Sequence, residues 1–97
     1  MIRTSAKEGR TTVLLEGNIG VEDVDPLQKA LSTAAGAGTV EADLSGCNSL
    51  SSSAIGALIA CHNTLRANGG KLRIRGASED MRRLLRLMGL DRHFEIA

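Results

Sequence analysis

The sequence has no tryptophan, no tyrosine and one phenylalanine. A chain so poor in aromatic rings offers no platform on which bases could stack. Twelve basic against eleven acidic residues give a formal net charge of +1, so the basic field of a nucleic-acid binder is missing as well. No apolar run approaches the roughly 20 residues that cross a bilayer. Met1-Ile2-Arg3-Thr4-Ser5-Ala6-Lys7 lacks the apolar stretch of a secretory leader. A cytoplasmic protein without membrane insertion is therefore expected. Cys47 and Cys61 are the only cysteines, they form no CxxC pair, and only His62 and His93 could join them as soft ligands. A structural zinc site takes four closely spaced ligands, so no metal is expected and two buried, reduced thiols are. Gly36-Ala37-Gly38 and Gly69-Gly70 lack the GxxxxGK pattern that cradles phosphates. They read as turns, and no cofactor is expected.

What is present is a chain of 97 residues, 42% of them hydrophobic, enough for one domain with one modest core. Met1 to Ala6 and the β-branched run Thr11-Thr12-Val13-Leu14-Leu15-Glu16 read as a hairpin, joined by Glu8-Gly9-Arg10 and ended by Gly17-Asn18-Ile19-Gly20. Val21, Val24, Leu27, Leu31, Ala34 and Ala35 recur at spacings of three and four, the mark of an amphipathic helix. Pro26 fits only its first turn, so Asp23 or Asp25 is the N-cap, and Gly36-Ala37-Gly38 closes it. Val40, Ala42 and Leu44 alternate as in a strand. Ser45 to Ser53 reads as a polar loop, and a second helix runs from about Ala54 to Asn68, stopped by Gly69-Gly70. Lys71-Leu72-Arg73-Ile74-Arg75 is a short strand. Ser78 caps a third helix, with Glu79 and Asp80 at its positive end and Met81, Leu84, Leu85 and Met88 as its buried stripe. Gly89 stops that helix, and His93-Phe94-Glu95-Ile96 forms a last strand. The order β-β-α-β-α-β-α-β implies an α/β domain with a mixed sheet of four to five strands, opened by an antiparallel hairpin, and about three main helices.

Asp43-Leu44-Ser45-Gly46-Cys47-Asn48-Ser49-Leu50-Ser51-Ser52-Ser53-Ala54-Ile55-Gly56-Ala57-Leu58 is the most informative segment. A strand ends near Leu44 and a helix begins just after three serines. The free N–H groups and positive dipole end of such a helix start favour a phosphate. A phosphoserine there would place nearly two negative charges on a neutral surface, which is how a binding switch works. Ala54, Gly56 and Ala57 are small enough to let another backbone approach. The same serines also serve as plain helix caps.

This run resembles the STAS domain family of the anti-sigma factor antagonist type, in which a strand ending in Asp-Leu leads through a short loop to Asp-Ser-Ser-Gly-Leu-Gly and a helix. The likeness continues through Ala67-Asn68-Gly69-Gly70-Lys71-Leu72-Arg73-Ile74 and Arg83-Leu84-Leu85-Arg86-Leu87-Met88-Gly89-Leu90-Asp91-Arg92-His93-Phe94. It implies a single STAS-like domain over residues 1–97. The resemblance further implies a bacterial protein in signal transduction and transcription regulation, an anti-anti-sigma factor. In that family a partner serine kinase, itself the anti-sigma factor, phosphorylates the first serine of the motif, and the modified antagonist lets go. By position Ser52 is the implied acceptor, with Ser53 and Ser51 behind it. Asn18, Gly20, Ser51, Ser52, Ser53, Ala54, Ile55 and Gly56 are the implied partner-binding residues. Ser51 stands where the family has an acid and Ala54 where it has glycine, so a methyl at the helix start is expected to hinder close approach. Gly17-Asn18-Ile19-Gly20 matches the family's Gly-Glu-Leu-Asp without either acid, and Glu22 and Asp23 are the acids nearby.

Two other readings compete. A constitutive, unphosphorylated subunit of a larger signalling or lipid-transport assembly fits the altered Ser51 and Ala54 positions. A small hydrolase would need a base beside the serines. His62, ten residues from Ser52 along one helix, would lie roughly 15 Å away at about 1.5 Å per residue. No enzyme is expected. His62 reads as a histidine at the core margin and His93 as a solvated turn residue. Arg82, Arg83, Arg86 and Arg92 form the basic cluster of the sequence, either a solvated helix face or a surface for an acidic protein partner or phosphorylated segment.

Overall fold

The structure is a computed structural model that describes residues 1–7, 10–36 and 38–96. Strand β1 (Ile2–Lys7) pairs antiparallel with β2 (Arg10–Leu15), Ile2 opposite Leu15. A short strand β3 (Gly17–Ile19) and a 3-10 turn (Val21–Asp23) lead into helix α1 (Val24–Ala35). Then come β4 (Thr39–Asp43), β5 (Cys47–Leu50), helix α2 (Ser52–Ala67) and β6 (Lys71–Arg75). Helix α3 (Glu79–Leu87), a second 3-10 turn (Leu90–Arg92) and β7 (Glu95–Ile96) complete the chain. The main sheet has the order β1-β2-β4-β6-β7, parallel except for the opening hairpin, and β3 and β5 form a separate parallel pair. The expected α/β architecture is present. Two of the expected turns, Glu8-Gly9 in the hairpin and Ala37 after α1, lie outside the described residues.

Strand alternation divides the sheet into two unlike faces. Val13 and Leu15 of β2, Val40 and Ala42 of β4, and Leu72 and Ile74 of β6 are buried, and they form one cluster with Leu27 and Leu31 of α1 and Leu58 and Leu65 of α2. Burying each such leucine contributes about 1.5–3 kcal/mol. The other face is polar. Arg10, Thr39 and Lys71 share one row, Thr12, Glu41, Arg73 and Glu95 the next, and Leu14, Asp43 and Arg75 the third. Glu41 is buried in the middle of this face between Arg10, 3.9 Å away, and Arg75 at 3.3 Å. Arg82, Arg83, Arg86 and Arg92 are thus not the sole basic cluster. Parallel register assembles a second one, from β2 and β6 around Glu41 of β4.

The helices differ from expectation in their details. Asp23, one of the two expected candidates, occupies the N-cap position of α1, but its carboxylate accepts the Gly20 N–H at 2.9 Å and closes the 3-10 turn instead of bonding to the helix. Asp25 lies in the first turn of α1. Helix α2 begins at Ser52, two residues earlier than expected, because the Ser51 hydroxyl accepts the Ala54 N–H at 3.1 Å and fixes Ser51 as N-cap. Ser78 caps α3 in the same way, through Met81 N–H. Met81 and Leu85 of the expected α3 stripe are buried, whereas Leu84 and Met88 are exposed. Among the described residues no other element covers that side of α3, so its apolar arc is wider than the core it meets. Cys47 and Cys61 are buried free thiols.

Candidate functional site

Strands β2, β4 and β6 run parallel, so the segments that follow them gather at one end of the sheet. There the stretch expected to be a polar loop contains β5, paired with β3: Gly17 lies opposite Cys47, Asn18 opposite Ser49 and Ile19 opposite Leu50. The Ser49 hydroxyl bonds to Asn18 Oδ1 at 2.9 Å across this pair. Gly17 N–H donates to the Gly46 carbonyl at 2.9 Å, and Ser51 N–H donates to the Ile19 carbonyl at 2.9 Å. These bonds set the start of α2 directly beside the turn that leaves β3. Residues more than thirty positions apart, Asn18 and Gly20 with Ser51 and Ser52, therefore share one surface.

The three serines have different environments. Ser51 spends its hydroxyl on the cap and is half-buried. Ser52 and Ser53, in the first helical turn, are exposed, and among the described residues neither hydroxyl has a partner. The first turn of α2 holds no acidic side chain, so its positive end meets no opposing charge from the helix itself. Ala54 and Ile55 turn the other way. Ala54 is 0% exposed and Ile55 is buried, both in the core cluster. Their expected place as surface contact residues is corrected accordingly. The Ala54 methyl points inward and does not hinder an approaching partner. Gly56 is exposed, and a Cβ there would meet nothing within 4 Å.

Acidic groups lie on the β3 side of the serines. Asp23 holds the Gly20 N–H, and the Glu22 carboxylate oxygens lie 2.8 Å from where a Gly20 Cβ would sit. Behind them, Asp43 accepts the Ser45 hydroxyl at 2.5 Å and the Ser45 N–H at 2.9 Å. Burial raises the Asp43 pKa, but these two hydrogen bonds and the Arg75 guanidinium outweigh it and hold the carboxyl below its usual range. Gly76, at φ +72°, passes so close that an added Cβ would lie 2.9 Å from Ser45 Cβ and 3.1 Å from Asp43 Oδ1. The loop after β6 is thereby locked against the loop after β4. Sequence reading did not identify this contact, although Gly76 directly after a strand was its one visible trace.

The remaining candidates lie elsewhere. His62 is buried further along α2, its ring edge-on to Phe94 with centroids 5.5 Å apart and to His93 at 6.0 Å. Desolvation, with His93 and Arg66 adding to it, holds its pKa below the ordinary histidine value. It does not join the serines. His93 is exposed, as expected. Among the described residues no group of three or more His, Cys, Asp or Glu is placed to hold a metal ion, and no helix is long and apolar enough to cross a membrane.

Compared with known protein families, residues 2–96 match the one described as Mlab, STAS domain. No curated protein matches the chain by sequence. Among solved structures, the anti-sigma factor antagonist SpoIIAA in its unphosphorylated form is similar at a TM-score of 0.83 and 18% identity, over 100% of this chain and 87% of that one. The Bacillus cell fate determinant SpoIIAA in the phosphorylated form gives 0.81 and 21%, over 100% and 91%. An anti-sigma factor antagonist from Mycobacterium paratuberculosis gives 0.86 and 21%, over 99% and 83%. The shared fold is the finding.

Proposed function

The chain belongs to the STAS domain family, and from that premise we propose that it is an anti-sigma factor antagonist-like regulator, one domain over residues 1–97, that binds a partner serine kinase acting as anti-sigma factor. The reading rests on one observation. Of the three serines at the start of α2, Ser51 is consumed as the helix cap, while Ser52 and Ser53 present their hydroxyls to solvent without a partner among the described residues. Ser52, in the place of the first serine of the family motif, is the acceptor we assign, with Ser53 behind it. Asn18, Gly20, Ser51, Ser53 and Gly56 surround it as the contact surface, and Ala54 and Ile55 support it from the core.

A phosphate on Ser52 would add close to two negative charges beside Glu22 and Asp23. The modified face would repel a partner that had accepted the neutral one. In this scheme the protein acts by binding, in the cytoplasm where a kinase and an anti-sigma factor would meet it, and not as an enzyme. Intact-mass and peptide mass spectrometry on the protein from its native cells, grown with and without stress, tests the switch. One phosphate on Ser52 that changes with condition supports it, and an unmodified protein under every condition removes it. Binding gives the second test. Ser52→Asp should abolish capture of the partner with the fold intact, and Ser52→Ala should keep it.

A constitutive subunit of a larger signalling or lipid-transport assembly is the second reading. It is favoured by Ser51, a neutral cap where the family motif carries an acid. It requires a stably co-purifying partner that ignores both substitutions at Ser52.

A further inference from the structure

Helix α3, with its C-cap, leaves three large apolar side chains exposed and buries two. Leu84 is 41% exposed, Leu87 79% and Met88, at its C-cap, 47%, against only Met81 and Leu85 in the core. These three are the majority of the exposed large hydrophobic residues described. Their i, i+3, i+4 spacing makes them one continuous stripe. At about 100° per residue the stripe runs outward from Met88 through Leu84 to Leu87, and Arg83 and then Arg86 border it. Among the described residues none of Arg82, Arg83, Arg86 and Arg92 is paired with a carboxylate, which puts four of the unpaired cationic side chains on α3 and the turn after it, the others being Lys29, Arg66 and Arg73, one each on α1, α2 and β6.

We propose that this stripe is a second docking surface, separate from the Ser52 face, and that its occupant is a protein presenting an amphipathic helix whose apolar side is rimmed by carboxylates. Contiguous apolar residues on a small protein mark interaction sites, and arginine is enriched where such sites are buried. The unpaired guanidiniums of Arg83 and Arg86 define the complementary charge. Asp80 stands in line with the stripe one turn before Leu84, with Glu79 beside it. An anionic bilayer laid along the helix would meet both acids, but a protein rim can face the arginines and stop short of them. The surface is also remote from Ser52. Helices α2 and α3 leave the same end of the sheet, and α3 must run back to reach the parallel strand β7, which carries Leu87 and Met88 toward the opposite end.

The probe is an amphipathic peptide of about 15 residues with leucine at i, i+3, i+4 and i+7 and glutamate elsewhere, titrated into the isotope-labelled protein and followed by NMR. A twin with lysine for glutamate, phosphatidylglycerol vesicles, and the protein alone in sedimentation velocity complete the set. The expected result is shifts confined to residues 83–88. Leu87→Gln and the pair Arg83→Glu with Arg86→Glu should each weaken binding roughly tenfold or more, and Ser52→Asp should leave it unchanged. Equal binding of the lysine twin, or no binding of the acidic peptide, overturns the proposal. So does α3-dependent attachment to vesicles in its place, or self-association lost on Leu87→Gln. Leu87 is so exposed that Leu87→Gln should fold normally, and an unchanged thermal melt verifies this.

Discussion

Gly56→Ala separates what the fold needs from what recognition needs. Gly56 sits in the second turn of α2, exposed to solvent, and a Cβ added there meets no atom within 4 Å. Its φ is not among the positive values that only glycine adopts comfortably. Glycine inside a helix is less favourable than alanine by about 0.8–1.0 kcal/mol, and no packing term offsets that here. The substitution should therefore stabilise the protein by about 1 kcal/mol, which for a domain of this size raises Tm by roughly 4–8 °C. Thermal melts by circular dichroism read the shift, and urea titration should show a higher midpoint at unchanged slope. Asn63→Ala, exposed on the same helix, is the calibration and should give about 0.7 kcal/mol or less. An unchanged or lowered Tm for Gly56→Ala beside a raised one for Asn63→Ala would refute the reasoning. Under the proposed function the same methyl stands in the partner's path. Affinity should then fall while stability rises, a combination that no folding defect produces.

Further substitutions follow from the same geometry. Ser51→Ala removes the cap of α2 and should cost about 1 kcal/mol, whereas Ser53→Ala, whose hydroxyl has no partner among the described residues, should be nearly silent in the same urea titration. Gly76→Ala meets both a positive φ and the Ser45–Asp43 contact, so it should destabilise by about 2 kcal/mol or more and lower the yield of soluble protein. His62 makes stability pH-dependent. Its native pKa lies below the ordinary value because of burial first, then His93 and Arg66. Below about pH 6.5 the unfolded chain takes up a proton that the native chain resists. Unfolding midpoints should be flat from that pH up to about pH 8, where the buried thiols begin to matter, and fall below it toward pH 5, and His62→Phe should reduce that acid-side fall.

The main elements are legible because each announces itself over several residues: the β-branched run of β2, alternation in β4 and β6, the three-and-four spacing of α1, and Ser78 followed by two acids in the first turn of α3. The β3–β5 pair is not. Gly17–Ile19 and Cys47–Leu50 are too short to show a period, and each becomes a strand only because the other lies beside it. The α3 stripe fails for a different reason. Spacing identifies the residues that share a side of a helix, but whether anything covers Leu84 and Met88 is a property of the rest of the chain. The same holds at the candidate site. The serine run is visible at once, whereas the division of labour between Ser51, Ser52 and the inward-facing Ala54 depends on where the helix starts, and a two-residue shift in that boundary turns Ala54 from surface to core. The cluster around Glu41 draws Arg10 and Arg75 from separate strands, which only the register brings together.

The cap at Ser51 also sets the tempo of the proposed switch. Because the helix start is closed by a neighbouring hydroxyl and by Ser51 N–H on the Ile19 carbonyl, a phosphate arriving at Ser52 finds its platform already built. No segment has to melt or refold to display the signal, and none has to recover when it is removed. The message would be written as charge on a rigid support, so its onset and decay would keep pace with the enzymes that add and remove the group, with no conformational lag of the protein's own.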